Sequence, residues 1–308
     1  MSAYIWGRLL RAIPVLFGVS TLVFLMIHLL PGDPAQEIAS RGPGMTPEAV
    51  QRIRVQLGLD QPIHIQYLQF LGRILRGDLG RSLFSNQPVS KIIGDQIGST
   101  IQLTLAGILT ALLVGVSLGI LAAVRHNTWL DTISMSIALF GVSIPGFWLG
   151  LLLIFLFAVQ LNWVPVGGGT GLQGLILPAL TLGFGASAII ARLVRSSMLE
   201  VLNQEYMTTA RAKGLKTRVV ILRHGLKNAL IPVITIIGLQ FGALLGGAVV
   251  IETVFARRGV GRLAIDAILS KDFPVIQGTV LFAAVVYVGV NLLVDILYSI
   301  VDPRIRYD

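Results

Sequence analysis

The sequence predicts an all-α membrane protein: six transmembrane helices with a helical insert between the first two. Three observations carry that expectation. Hydrophobic residues fill 54% of the 308 positions and charged residues only 13%, whereas soluble domains carry about a quarter charged residues. The mean hydropathy of +0.80 means more apolar surface than a soluble core of this length buries, so lipid is the expected solvent. The apolar residues also gather in six long runs, not in the alternating ten-residue segments of an outer-membrane barrel. Helices satisfy their own backbone hydrogen bonds and are the element that crosses lipid.

The first run, residues 12–30, "AIPVLFGVSTLVFLMIHLL", follows Arg8 and Arg11. It approaches the ~20 residues that cross a bilayer. It exceeds the apolar core of a secretory signal and lacks a small-residue cleavage site, so it reads as a retained span. Residues 31–99 then form a long external segment. Within it "TPEAVQRIRVQLGL" reads as an amphipathic helix with Thr46 as cap and Pro47 in the first turn. "IQYLQFLGRILRG" reads as another, ending at Gly77. The remaining spans are expected near 100–124, 133–159, 173–195, 229–255 and 276–300.

The loops orient the chain. Residues 192–227 hold eight Lys or Arg, a short loop holds Arg125, and the tail ends with Arg304 and Arg306. The loop "NWVPVGGGTGLQG" is uncharged. Both termini and the 192–227 loop are therefore expected in the cytoplasm. Four basic residues in 257–271 oppose this assignment, and eight on the next inward loop outweigh them. The domain organisation expected is a cytoplasmic end and first span (1–30), the external insert (31–99), a transmembrane domain (97–300) with inward helices at 203–228, and a cytoplasmic tail (301–308).

Several function classes are disfavoured. The net charge of +9 fits inward basic loops better than a nucleic-acid surface. There is no cysteine, hence no disulfide, thiolate metal site or cysteine nucleophile. His28, His64, His126 and His224 are scattered and form no metal pair. No G-x-x-x-x-G-K-[ST] phosphate loop is present. "GVSIPG" places Ser143 in a span, but Pro145 stands where the second glycine of a serine-hydrolase elbow belongs. The expectation there is a proline-kinked helix. "GGGTG" at 167–171 reads as a flexible connection. No internal repeat or low-complexity linker is visible.

The stretch "EYMTTARAKGLKTRVVILRHGLKNALIP", from Glu205 to Pro232, concentrates six Lys and Arg. Asn203 is expected to cap its first helix and Gly214 to end it in the left-handed conformation. Tyr206, Ala210 and Gly214 fall four apart and make a stripe that narrows to nothing. Lys213 lies at the negative end of the helix dipole. Thr217 is expected to cap a second helix running to Pro232. A small-residue stripe on an inward helix allows close approach by another protein. The alternative is a basic helix lying on the lipid surface.

At these residues the chain resembles the binding-protein-dependent ABC importer permeases, in their peptide, glutathione and nickel branch. "TARAKGL" followed by "LRHGLKNALIPV" is similar to the family's coupling segment. "LLPGDPA", "LGLDQP", "GDLGRS", "LLGGAVVIETVF", "DFPVIQG" and "VDPRIRY" resemble that branch in the same order along the chain. The resemblance implies the type I importer permease fold for residues 97–300. It also implies that Glu205, Tyr206, Thr209, Ala210, Arg211, Ala212, Lys213 and Gly214 form a coupling helix docked on a separate ATPase. ATP and Mg would then sit on two partner ATPase subunits, with no cofactor on this chain. The other partners implied are a second homologous permease subunit and a periplasmic or lipid-anchored substrate-binding protein, in a bacterial inner (plasma) membrane. The chain itself would be no enzyme. Three departures stand out, one of them at Leu226 and Lys227, where the superfamily's later Leu-Pro loses its proline. Thr208 occupies the position of the superfamily's usual glutamate. Ala256, Arg257 and Arg258 precede Gly259 where relatives often read Trp-Pro-Gly.

Gly238, Gly242 and Gly246 are spaced four apart in the fifth span, a ladder that lets backbones approach closely. They would pack within the subunit or against a second permease subunit beside the pathway. Gln240, on the opposite face, is expected to meet a neighbour or a wet cavity. Ser143 and Pro145 join this candidate pathway or contact set. Asn291 and Asp295 lie four apart late in the sixth span. The leading reading is half of a translocation pathway for a short peptide, such as a dipeptide, an oligopeptide or glutathione. The rivals are an ion-coupled secondary transporter, which needs ionisable groups at mid-membrane, and a permease for nickel or another small solute.

Overall fold

The computed structural model describes residues 2–29, 35–36, 46–165 and 171–301, and every element among them is helical. The motif "GGGTG", most of "LLPGDPA" and the basic tail fall largely outside the described residues. The helices are α1 (Ser2–Leu29), α2 (Pro47–Leu57), α3 (Ile63–Leu75), α4 (Val89–Val124), α5 (Trp129–Ser143), α6 (Gly146–Leu153), α7 (Gln173–Leu202), α8 (Glu205–Ala212), α9 (Thr217–Val219), α10 (Ile231–Val254), α11 (Val260–Ser270) and α12 (Phe273–Val301), with one further short turn, Lys227–Ala229, before α10.

Five of these carry a continuous apolar length sufficient to cross a bilayer: Trp6–Leu29, Val89–Val124, Gln173–Leu202, Ile231–Val254 and Phe273–Val294. The sixth expected span is not one helix. α5 stops at Ser143, α6 starts at Gly146, and α6 continues through a π-helical run, Ile154–Gln160, at 106° to α5. The kink expected at Pro145 is thus a break. Proline disfavours the helical region for the residue before it, and Ile144 is extended at φ −88°, ψ 126°. The turn then restarts with Pro145 in the cap position. Pro14 and Pro178 sit inside α1 and α7 without such a break.

The chain divides into two compact units. The first comprises residues 1–96 and 263–288. Its core joins Val23 and Phe24 of α1, Phe70 of α3 and Leu281 of α12. α2 begins at Pro47 and α3 ends before Gly77, as the sequence predicts, with Gly77 at φ +75°. Two separated motifs close on each other in this unit. Ser82 Oγ donates to Asp272 Oδ2 at 2.6 Å and the Leu83 N–H donates to Asp272 Oδ1 at 3.1 Å. "GDLGRS" and "DFPVIQG" are therefore two sides of one hydrogen-bonded junction.

The second unit comprises residues 97–262 and 289–308. Its core is centred on α7, whose Ile190, Val194 and Met198 are almost wholly buried. Close packing here rests on a glycine ladder the sequence reading did not single out. A Cβ on Gly115 or Gly119 of α4 would stand 2.7 Å from the α7 carbonyl oxygens of Ser187 or Ala191. Small residues let two helix backbones reach that separation.

Candidate functional site

The 203–228 segment builds two short helices, as expected, with caps shifted by one residue. Asn203 is the C-cap of α7 (φ −92°, ψ 0°), and the extended residue before α8 is Gln204. Asn203 is pre-empted because α7 runs on to Leu202. Thr217 is likewise the first residue of α9, not its cap. Lys216 takes the extended cap conformation and its carbonyl accepts the Val219 and Val220 N–H groups. Gly214 does end α8 in the left-handed region, at φ +73°, and its N–H donates to the Arg211 carbonyl at 3.0 Å. A Cβ there would meet nothing within 4 Å, so only the backbone conformation demands glycine.

The stripe Tyr206, Ala210, Gly214 is not a uniform open face. Ala210 is buried with Met207 and Val220, beneath Val201 and Leu202. Its small size serves packing inside this chain, because α8 folds back onto the helix that follows. Tyr206 is half-exposed, and its hydroxyl accepts a hydrogen bond from Asn228 Nδ2 at 2.8 Å. Glu205, Thr209, Arg211, Ala212, Lys213 and Gly214 are exposed, as are Leu215, Val219 and Leu222. The open surface is a basic rim around apolar side chains, shifted from the stripe toward Leu215. Beyond α9 the chain enters a π-helical run, Val220–Leu226. There Gly225 lies against the methyl ends of Met198 and Met207. That contact anchors the elbow on the end of α7.

A second anchor at this end was missed in the sequence. Arg195 of α7 makes a bidentate pair with buried Asp131 of α5, Nε to Oδ1 and Nη2 to Oδ2, both at 2.7 Å. The Asn127 N–H also donates to Asp131 Oδ2 at 3.1 Å, and His126 Nδ1 lies 3.1 Å from the same oxygen. Planar guanidinium and carboxylate make the strongest ion-pair geometry available to side chains. The 64-residue separation hides it from any local pattern.

At the opposite end of α10 the turn "ETVFARRGVGR" is built around one carboxylate. Glu252 is fully buried and accepts from Thr100 Oγ1 (2.6 Å), Gly261 N (2.9 Å) and Arg262 N (3.1 Å). Thr100 Oγ1 in turn accepts from Val260 N at 2.9 Å. A Cβ on Gly259 would fall on the Glu252 carboxylate itself. Ala256 sits at φ +50° and the Arg257 N–H donates to the Glu252 carbonyl at 2.8 Å, which closes the helix end. Arg257 folds inward, 3.3 Å from Gln102 Oε1. Its burial lowers the guanidinium pKa, and the Glu252 charge raises it again. The Ala-Arg-Arg variant thus forms an ordered turn in which only one of its two arginines turns inward.

Of the candidate pathway residues, Gly238 packs inside this chain. A Cβ there would strike Val294 of α12. Gly246 faces open space, Gly242 is half-buried, and Gln240 is half-buried. Ser143 Oγ donates to the Leu139 carbonyl at 3.0 Å, and Ser143 and Pro145 are exposed at the α5–α6 break. The side chain of Asp295, the partner expected for Asn291, lies outside the described residues. Among the described residues no three His, Asp or Glu side chains converge as a metal would need.

The chain matches two family models. Residues 115–307 match "Binding-protein-dependent transport system inner membrane component", and residues 1–104 match the corresponding N-terminal membrane component. It is 47% identical over 307 residues to the glutathione transport system permease protein GsiC of Salmonella choleraesuis (strain SC-B67), covering 100% of both chains. The same protein of Escherichia coli (strain K12) gives the same identity and coverage. Among solved structures, the inward-facing MetNI methionine ABC transporter aligns with a TM-score of 0.59 at 19% identity, over 69% of this chain and 97% of that one. An amino acid ABC transporter aligns at 0.51 and 16%, over 70% and 95%. At such identities these two report the fold, the type I importer permease architecture. The chain therefore belongs to the binding-protein-dependent transport system inner membrane components, as an ABC importer permease of the peptide and nickel branch.

Proposed function

We propose that the chain forms half of a translocation pathway for a short peptide, with glutathione the foremost candidate, and is driven by separate ATPase subunits. The 47% identity along the whole chain to permeases named for glutathione transport carries the substrate class. The coupling role rests on the exposed basic rim of α8, the Gly214 terminus and the contact of Gly225 with Met198 on α7. Gly225 lies between Met207 of α8 and Met198 of α7, so a push on α8 is passed to a long span. The loop docks in a cleft of an ATPase subunit, with Glu205, Tyr206, Arg211 and Lys213 at its edge. A second copy of a homologous permease completes the pathway, and two ATPase subunits carry ATP and Mg. A substrate-binding protein delivers the peptide from the opposite side. Both termini and the 192–227 loop lie in the cytoplasm, and the segment after α1 lies outside. Arg257, one of the four basic residues that oppose this orientation, folds inward onto Gln102, within the field of the Glu252 carboxylate.

The test is capture of the ATPase subunits by tagged full-length chain, with calorimetry of the partner binding protein against glutathione, dipeptides and nickel. ATPase capture lost in Gly214→Val, with glutathione or a peptide bound by the partner, is the expected outcome. Nickel binding alone would move the substrate class. Capture unaffected by Gly214→Val would return α8 to a lipid-surface role.

A further inference from the structure

The first compact unit contains a cavity of about 770 Å3 that the transport reading does not use. Its floor is apolar, formed by Phe24 and Ile27 from the last turns of α1 and Leu281 of α12. Its rim carries Arg73, Arg76 and Arg81 with Asp78. Asp78 accepts from the Gly80 N–H at 2.9 Å, and Arg81 donates to the Asn86 carbonyl at 2.8 Å. Arg73 and Arg76 make no side-chain hydrogen bond or ion pair with any described residue.

The depth of α3 says what fills this space. Tyr67 OH donates to Thr21 Oγ1 at 2.7 Å, since the threonine's own proton goes to the Phe17 carbonyl. Thr21 lies eight residues, about 12 Å along the helix axis, before the end of α1 at Leu29. Gln66 reaches His28 at 3.0 Å, near that end. α3 therefore crosses the terminal part of a membrane span. Its Ile63, Leu68 and Leu75 are exposed where an aqueous helix would carry polar residues. That is the pattern of a helix lying in the membrane interface, apolar face toward acyl chains and arginines at headgroup level.

We propose that this cavity is a binding site for an anionic phospholipid of the leaflet that meets the C-terminal end of α1. Arg73 and Arg76 hold the phosphate, and the acyl chains lie over Phe24, Ile27 and Leu281. Gly72 borders the cavity, and a Cβ there would meet nothing within 4 Å, so the cavity can be filled without touching the charges. The inference stands apart from the substrate and the ATPase partners.

Native mass spectrometry of the detergent-extracted full chain, titrated with phosphatidylglycerol or phosphatidylcholine, tests it. Phosphatidylglycerol should be retained at least about tenfold better than phosphatidylcholine, and Arg73→Gln with Arg76→Gln should remove that preference. Gly72→Phe should reduce retention of both lipids with both arginines intact. Arg52→Gln, an exposed charge on α2 outside the cavity, should change neither. Equal retention of the two lipids, or an unchanged preference in the double arginine variant, overturns the proposal. Displacement of phosphatidylglycerol by millimolar inorganic phosphate overturns it in favour of a free-anion site. If the double variant keeps its lipid and loses only capture of the substrate-binding protein, the surface is a protein dock and the lipid assignment fails.

Discussion

The Glu252 carboxylate accepts the Thr100 hydroxyl proton at 2.6 Å across 152 residues of chain. This bond ties the start of the second unit's α4 to the end of α10, and the same carboxylate takes up two N–H groups at the start of α11. A buried carboxylate is tolerable only with such saturation. It explains why "ETVF" and "GVGR" occur together. Gly259 leaves room for the carboxylate, and Gly261 brings its N–H within 2.9 Å.

Thr100→Val should therefore cost about 1–3 kcal/mol, because it removes a charge-assisted donor and leaves Val260 N–H unpaired. Gly259→Ala should cost at least as much by forcing the carboxylate out of place. Thermal unfolding in detergent, read beside protease cleavage within 255–262, checks both. Unchanged melting with Gly259→Ala would mean that the turn does not enclose Glu252.

Arg195→Gln removes the bidentate partner of a buried carboxylate. Loss of one member of a buried pair costs about 3–5 kcal/mol when fully desolvated, and the partly exposed Arg195 side chain places this case at the lower end. Asp131→Asn with Arg195→Gln should recover part of that loss, since no uncompensated charge remains. A thermal-stability double-mutant cycle reads the recovery. Additive losses would show that the pair is not coupled.

Pro145 sets the break between α5 and α6 through the extended Ile144. In Pro145→Ala the pre-proline restriction is gone, and the 106° angle should open. The natural chain has no cysteine, so Met135→Cys and Val159→Cys place two spin labels uniquely. Their separation should lengthen in Pro145→Ala. An unchanged distance would assign the break to packing around Gly141 and Gly150.

Much of the fold was legible because membrane spans announce themselves by composition. α1, α7, α10 and α12 fall where their apolar runs fall. The span near 100–124 starts earlier, at Val89, because its first turns pack against Gly278 and need no lipid. The broken span was not legible as a break, since proline is equally compatible with a mild kink, as Pro14 and Pro178 show within their helices. In the candidate site, Gly214 could be read from the punctuation of one loop. The burial of Ala210, the Asp131–Arg195 pair and the Glu252 cradle could not. Each joins residues far apart in sequence, or depends on which face of a short helix folds back.

Ala210→Trp illustrates the difference. Read as an open stripe, the position would only block a docking cleft. Packed against Met207 and Val220, it should overfill the chain's own core and loosen α8 by about 1–3 kcal/mol. Proteolysis of the 203–228 segment in the isolated chain, without any ATPase, should therefore rise. Unaltered protease resistance together with lost ATPase capture would restore the open-stripe view.

The most direct measurement of the central claim is uptake of labelled glutathione and short peptides into proteoliposomes containing the chain with its permease, ATPase and binding-protein partners. ATP is supplied or withheld, and a proton gradient is applied or collapsed. Gly214→Val carries a valine in the left-handed conformation at a local cost of about 1 kcal/mol or more, and Lys216→Gln removes only an exposed charge. The account predicts uptake that requires ATP, ignores the proton gradient, disappears in Gly214→Val and survives in Lys216→Gln. Uptake driven by the proton gradient without ATP, or full ATP-driven uptake by Gly214→Val, would contradict it.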